Sequence, residues 1–146
     1  MKKLKVFTLV FMMGSFFVPR VVNGQCDSDG FLDRCSPALE TYTYIKKFPV
    51  AIKRKSEKNT VFSYVFSKGS TYKLIVCDQD VKGKKMVINF YDRNHKLIAS
   101  TYDRKSRQHL EVLLFPCTAT GVYYIEGQFE GNSGGCGVCI LGFDKS

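Results

Sequence analysis

The sequence predicts an all-β protein, an antiparallel β-sandwich of about seven to eight strands held by disulfides. Three observations predict it. Short runs rich in β-branched and aromatic residues recur along the chain, separated by turn clusters such as PCTATG and EGNSGG. All six cysteines lie beyond an N-terminal segment with the layout of a secretory signal. No stretch carries the period of a long helix, and neither tandem repeats nor a low-complexity linker interrupt the chain.

The first 24 residues set the compartment. MKKLKVFTLVFMMGSFFVPRVVNG has a basic start, an apolar run from Val6 to Val18 and a tail containing small residues. A membrane-spanning helix needs roughly 20 apolar residues, so this shorter run reads as a cleaved signal with Gln25 as the mature N-terminus. Cys26 invites a lipoprotein reading, but Gln25 is not the small residue that a lipidated cysteine needs before it. Residues 25–146 then form one domain, sized to bury a single modest core. Nothing after the signal is apolar enough to span a membrane. The whole chain carries +9, and removing Lys2, Lys3, Lys5 and Arg20 leaves +5. That mild excess suits an anionic surface and lacks the concentrated footprint of a nucleic-acid binder.

The mature start, QCDSDGFLDRCS, reads as a polar, turn-rich segment. Its D-x-D-G lacks the bidentate Glu of an EF-hand loop, so a solvated acidic turn is the preferred reading. Residues 42–53 read as extended, with Pro49 confining the strand to an edge or a bulge. A short helix near Pro37–Tyr44, capped by Ser36, competes with that reading. The basic KRKSEK reads as an exposed turn. VFSYVFSKGSTYKLIVC predicts strands over 61–67 and 70–77, joined at Lys68-Gly69 as a two-residue hairpin. Phe62, Tyr64 and Phe66 share one face of the first of these, and Tyr72, Leu74 and Val76 one face of the second. After the loop Asp78–Lys85, MVINFYD and KLIASTYD form another hairpin around Arg93-Asn94-His95. The last third, from His109 to Phe143, reads as a three-stranded meander. In it Tyr123, Ile125 and Phe129 face the core, and Val138 and Ile140 oppose Cys139, Leu141 and Phe143.

An even cysteine count after a signal argues for disulfides in an oxidising compartment. If strands alternate in direction from Val61, Cys77 and Cys136 fall at one end of the sandwich and Cys117 at the other. Cys77–Cys136 is then the favoured bridge, since bridged Cα atoms lie within about 7 Å. Cys117 would take an N-terminal partner, Cys35 or Cys26.

No catalytic constellation emerges. Cys136-Gly-Val-Cys139 is the one enzyme-like motif, but redox chemistry needs it at a helix N-terminus, and here it enters a strand that sends the two side chains to opposite faces. Zinc would need a second pair of ligands, and only scattered cysteines with His95 and His109 remain. There is no GxSxG elbow; His95 reads as a turn residue and His109 as a strand-edge residue. Asp78, Asp80, Asp92 and Asp103 are calcium candidates if their loops cluster, although solvated loop acids are the preferred reading. No cofactor is implied. Tyr42, Tyr44, Tyr123 and Tyr124 would make a stacking surface if they converged, but strand alternation assigns most of them to core or cross-strand pairs.

The runs GSTYKLIVC, INFYDRNHKLIAST, CTATGVYYI and GCGVCILGF, with DRCSPALETYTYIKKF upstream, resemble small secreted β-sandwich proteins common in Bacteroidetes. The order TY…YDRN…TGVYYI is more loosely similar to the bacterial pre-peptidase C-terminal (PPC) sandwich, an accessory module of secreted hydrolases. The resemblance implies a jelly-roll or PPC-like sandwich and a secreted location, and it brings no catalytic residues. Cys26 and the second cysteine of CxxC depart from the pattern, which suggests Cys26–Cys139 as an added bridge and leaves Cys35 with Cys117. The resulting expectation is a secreted, periplasmic or cell-surface module that is not an enzyme and binds an unknown protein or glycan at the cell envelope. Its recognition surface would lie in loops including Asp78–Lys85 and Asp103–Gln108. The alternatives are a structural component of the cell surface or a secretion apparatus, and then a CxxC thiol-disulfide enzyme.

Overall fold

Two four-stranded antiparallel sheets pack face to face in the computed structural model, which describes residues 26–53 and 57–145. The expected signal, Met1 to Gly24, its cut before Gln25 and part of the KRKSEK run lie outside the described residues. The elements are α1 (Ser28–Cys35), β1 (Thr43–Ile52), β2 (Thr60–Phe66), β3 (Ser70–Asp78), β4 (Met86–Tyr91), β5 (Leu97–Ser100), β6 (Tyr102–Asp103), β7 (Gln108–His109), β8 (Val112–Pro116), β9 (Gly121–Phe129) and β10 (Gly135–Lys145). Tight 3-10 turns occupy Ser36–Leu39 and Glu130–Asn132.

The first sheet runs β1-β10-β3-β8 and the second β2-β9-β4-β5. Apart from the small β6–β7 arm, pairing is nested: β1 with β10, β2 with β9, β3 with β8 and β4 with β5. That is a jelly roll, one long antiparallel hairpin rolled over on itself into two sheets. The expected all-β sandwich and its strand positions therefore hold, while two local pairings do not. Lys68-Gly69 is a turn in which Gly69 has φ +87°, yet β2 and β3 belong to different sheets, so it is a crossing between layers and not a hairpin. The last third is likewise no meander. β8 and β10 sit in the first sheet on either side of β3, and β9 lies in the second between β2 and β4.

Alternation fills the space between the sheets. Phe66 is fully buried, with the rings of Tyr72, Tyr123, Phe90, Tyr64 and Phe115 centred 4.4 to 5.9 Å away. The buried phenols are satisfied: Tyr72 accepts from the Ser67 N–H at 2.9 Å, and Tyr123 donates to the Ala119 carbonyl at 2.8 Å. Gly127 faces this core beneath Val50 of β1, and a Cβ there would overlap the valine methyls.

The first sheet is covered on its other face too. The segment read as a polar turn is the helix α1, capped by Asp27, whose side chain accepts from the Gly30 N–H at 2.9 Å. Phe31, Leu32, Cys35 and Leu39 pack onto Ile75, Cys77, Val138 and Ile140. This second buried face explains the almost continuous apolar runs of β3 and β10. Lys73 also lies here, buried, with its ammonium 2.6 Å from Glu40 and 5.0 Å from the centre of the Tyr42 ring.

The same cover corrects the disulfides. Cys26 is bridged to Cys136 and Cys35 to Cys77, with Cα separations of 5.4 and 6.2 Å, while Cys117 and Cys139 are free and buried. The expected Cys77–Cys136, Cys35–Cys117 and Cys26–Cys139 bridges do not form. Cys77 and Cys136 do share an end and a face, but register pairs Cys77 with Val138, two residues beyond Cys136. The two cysteines are diagonal on the sheet, and the segment 26–35, which contains α1, lays Cys26 and Cys35 over them. Cys117 is at the opposite end, beside the β2–β3 turn, where its N–H bonds the Ser70 carbonyl. Cys139 points into the core between the sheets.

Candidate binding cleft

The outer face of the second sheet carries a concave surface. Strand parity sends Val87, Asn89 and Tyr91 of β4 outward, together with Tyr124, Glu126 and Gln128 of β9. Register then sets Ser100, Asn89 and Glu126 side by side across three strands. Ser100 Oγ donates to Asn89 Oδ1 at 2.8 Å, and Asn89 Nδ2 donates to Glu126 Oε1 at 3.1 Å. Tyr91 reaches the same carboxylate oxygen from its hydroxyl at 3.3 Å. Burial pushes the Tyr91 hydroxyl above its usual range and the Glu126 charge adds to this, so Tyr91 stays a donor.

A cleft of about 500 Å³ opens over the end of this row. Val87, Asn89 and Gln128 form its floor; Leu97, Tyr102 and Arg104 rise on one side, and the turn Glu130–Asn132 on the other. The arm β6–β7 is held by Thr101, which is fully buried. Its hydroxyl accepts from the Ile88 N–H at 2.8 Å, its own N–H donates to the Ile88 carbonyl, and its carbonyl accepts from Leu110. Asp103 shapes the arm's tip, and hydrogen bonds from the Ser106 hydroxyl and the Lys105 N–H hold its carboxyl below the usual range.

His109 closes the inner end. Its Nε2 is 3.6 Å from Glu130 Oε1, the Tyr102 ring lies 4.8 Å away, and Nδ1 is buried with no hydrogen-bond partner. On the far side of His109 is a second cleft, of about 330 Å³, lined in part by Arg34, Asp78, Asp80 and Lys85. The loops Asp78–Lys85 and Asp103–Gln108 therefore lie at one end, flanking this histidine. His95 is in the β4–β5 turn and stacks on Tyr124, with centroids 4.3 Å apart.

The calcium candidates are not brought together. Asp78 accepts from the Asp80 and Met86 N–H groups, Asp92 from those of Asn94 and Lys96, and Asp80 pairs with Lys85. Asp78 binds the first residue of β4 and Asp92 follows the last, so β4 separates them. Asp78, Asp92 and Asp103 shape turns and Asp80 is held by Lys85, and among the described residues no three His, Cys, Asp or Glu side chains converge on a metal position. The CxxC is not a dithiol pair either. Cys136 is bridged, and burial pushes the Cys139 thiol up to about 12. Nor do the tyrosines form one surface: Tyr123 is core, Tyr42 lies over Lys73, Tyr44 is exposed and Tyr124 stacks on His95.

Arg104 falls in the expected Asp103–Gln108 loop, whereas sequence reasoning missed Asn89, Ser100 and Gln128 as a group. The available signal was the outward polar positions within otherwise apolar strands. The chain matches no protein-family model, and no curated protein matches it. Among the described residues no helix is long and apolar enough to cross a membrane.

Proposed function

We propose that the protein is an exported, non-enzymatic binding module that engages its ligand in the cleft between the β6–β7 arm and the outer face of the second sheet. The observation that carries this reading is the built character of the cleft. A polar side-chain row is fixed by hydrogen bonds across three strands, and a separate arm, anchored by a buried threonine, stands over it. Such pre-organisation suits recognition of a ligand with little reordering on binding. The signal-like leader and two disulfides support a secreted, periplasmic or cell-surface setting. Titration of the isotope-labelled chain with envelope glycan and peptide fractions tests it by amide chemical shifts. Shifts concentrated at Val87–Asn89, Ser100–His109 and Gln128–Asn132 are expected. A ligand that moves only residues elsewhere refutes the assignment.

A structural role at the envelope is the second reading, favoured by one observation. The edge strand β2 is uncharged and leaves Val61 exposed, and Val65 exposed beside Val122. Co-purification of a stoichiometric envelope partner lost on Val65→Lys would support this role over the first.

A further inference from the structure

The cleft's chemistry narrows its ligand, given the binding-module reading on which this step rests. Its floor is the face of a sheet whose backbone groups are spent in the ladder, so only side chains remain to recognise anything. Beside Val87, those side chains are two amides and a hydroxyl: Asn89, Gln128 and Ser100. Asn89 already bonds Ser100 and Glu126, and Gln128 accepts from Asn59 at 3.0 Å, so each amide keeps one oxygen lone pair and at least one N–H for neighbouring sugar hydroxyls. An apolar ligand would strip water from these groups without replacing it. Tyr102 and Leu97, the latter half exposed, supply apolar surface for the ring faces of a saccharide.

Charge narrows it further. Of the acids near the cleft, Asp80 pairs with Lys85, Asp103 is held in its own turn and Glu126 accepts from Asn89 and Tyr91, while Glu130 sits on the wall opposite Arg104, 3.6 Å from His109. Arg104 lines the cleft and forms no ion pair among the described residues. Lys105 and Arg107 follow it on the arm, and Lys82 and Lys84 lie on the loop beyond His109. We infer that the cleft takes an anionic saccharide, a uronic-acid-containing or sulfated glycan unit. Arg104 selects the acid group through its planar fork, and Asn89 and Gln128 read the hydroxyls.

Calorimetric titration of the purified full chain tests this with three probes: tetragalacturonate, its methyl ester, which keeps the skeleton and loses the charge, and a heparin tetrasaccharide. The acid should bind about tenfold or more tightly than the ester, the scale of one charge-assisted hydrogen bond. Arg104→Gln should bring the acid down to the ester's affinity and leave the ester unchanged. Asn89→Ala and, as a second variant, Gln128→Ala should weaken both forms. Heparin binding with the same Arg104 dependence, in place of tetragalacturonate, assigns the anion as sulfate. Equal affinity for acid and ester, both lost in Asn89→Ala or Gln128→Ala, overturns the anionic assignment and leaves the cleft reading standing. Binding that ignores every cleft variant but falls with Lys68→Gln, at the opposite end, overturns both. Absence of binding to both anionic probes overturns the inference.

Discussion

Removing the Cys26–Cys136 bridge should destabilise the protein more than removing Cys35–Cys77. The first links residues 110 apart in sequence and the second residues 42 apart. The chain-entropy relation gives about 4.8 kcal/mol for the longer loop and about 4.0 for the shorter, each taken alone. Either loss also unpins one end of α1, which is bridged immediately before its cap and at its last residue. An eight-residue helix has no stability of its own in water, so it should fray and expose the outer face of the first sheet. Urea unfolding of Cys26→Ser/Cys136→Ser and Cys35→Ser/Cys77→Ser, followed by tyrosine fluorescence, reads the effect. With a slope of about 1.5 kcal/mol/M, the midpoints should fall by roughly 3 M, slightly more for the first pair. The slope itself should rise in both, because the freed unfolded chain exposes more surface. Midpoints within about 0.5 M of the parent would refute the reasoning. So would a non-reduced peptide map joining Cys77 to Cys136.

Other expectations follow from single contacts. Thr101→Val keeps the shape but strands the buried Ile88 N–H, which should cost about 1–3 kcal/mol and speed hydrogen exchange at that amide; unchanged exchange contradicts the anchoring role. Gly127→Ala should destabilise by about 1–3 kcal/mol through overlap with Val50, and Val50→Ala in the same chain should recover part of it; additive losses in the double-mutant cycle would count against direct contact. Neither Cys117 nor Cys139 should be alkylated at pH 8 in the folded protein, and unfolding without reductant should expose two thiols by mass; rapid native labelling of Cys139 contradicts its burial in the core. Lys73, by hydrogen bond and charge, holds the Glu40 carboxyl below its usual range. That contribution is present above the unfolded value near 4.5 and is lost as pH falls through the lower folded value, so Glu40→Gln should flatten the acid limb of the melting temperature. A parallel acid limb in the variant would exclude the pair as its source.

How much of this could be read from the residues depends on the range of each interaction. The alternation in VFSYVF placed Phe62, Tyr64 and Phe66 inward because one sheet face suffices to dictate it. Lys68-Gly69 marked a reversal correctly, but a turn says nothing about which strand the reversed chain will pair with. β3 and β10 blurred the alternation because α1 buries their second face, and α1 was hidden in an aspartate-rich segment that resembles a loop. The bridges needed register and that helix together, so strand direction alone paired the right end with the wrong cysteine. The cleft was illegible for a similar reason. Asn89, Ser100 and Gln128 are unremarkable singly, and they meet only because β4 lies between β5 and β9 while Thr101 turns the arm back over them.

The position of β10, flanked by β1 and β3, imposes an order of events on the newborn chain. The first sheet has a gap at its centre until residues 135–145 arrive, and Cys26 must wait for a partner 110 positions downstream. Assembly is therefore governed by distant contacts and runs late, a pattern that slows folding. A polypeptide that stays open until its closing strand is made, and is locked only when sulfur is oxidised, is compatible with maturing in an oxidising compartment.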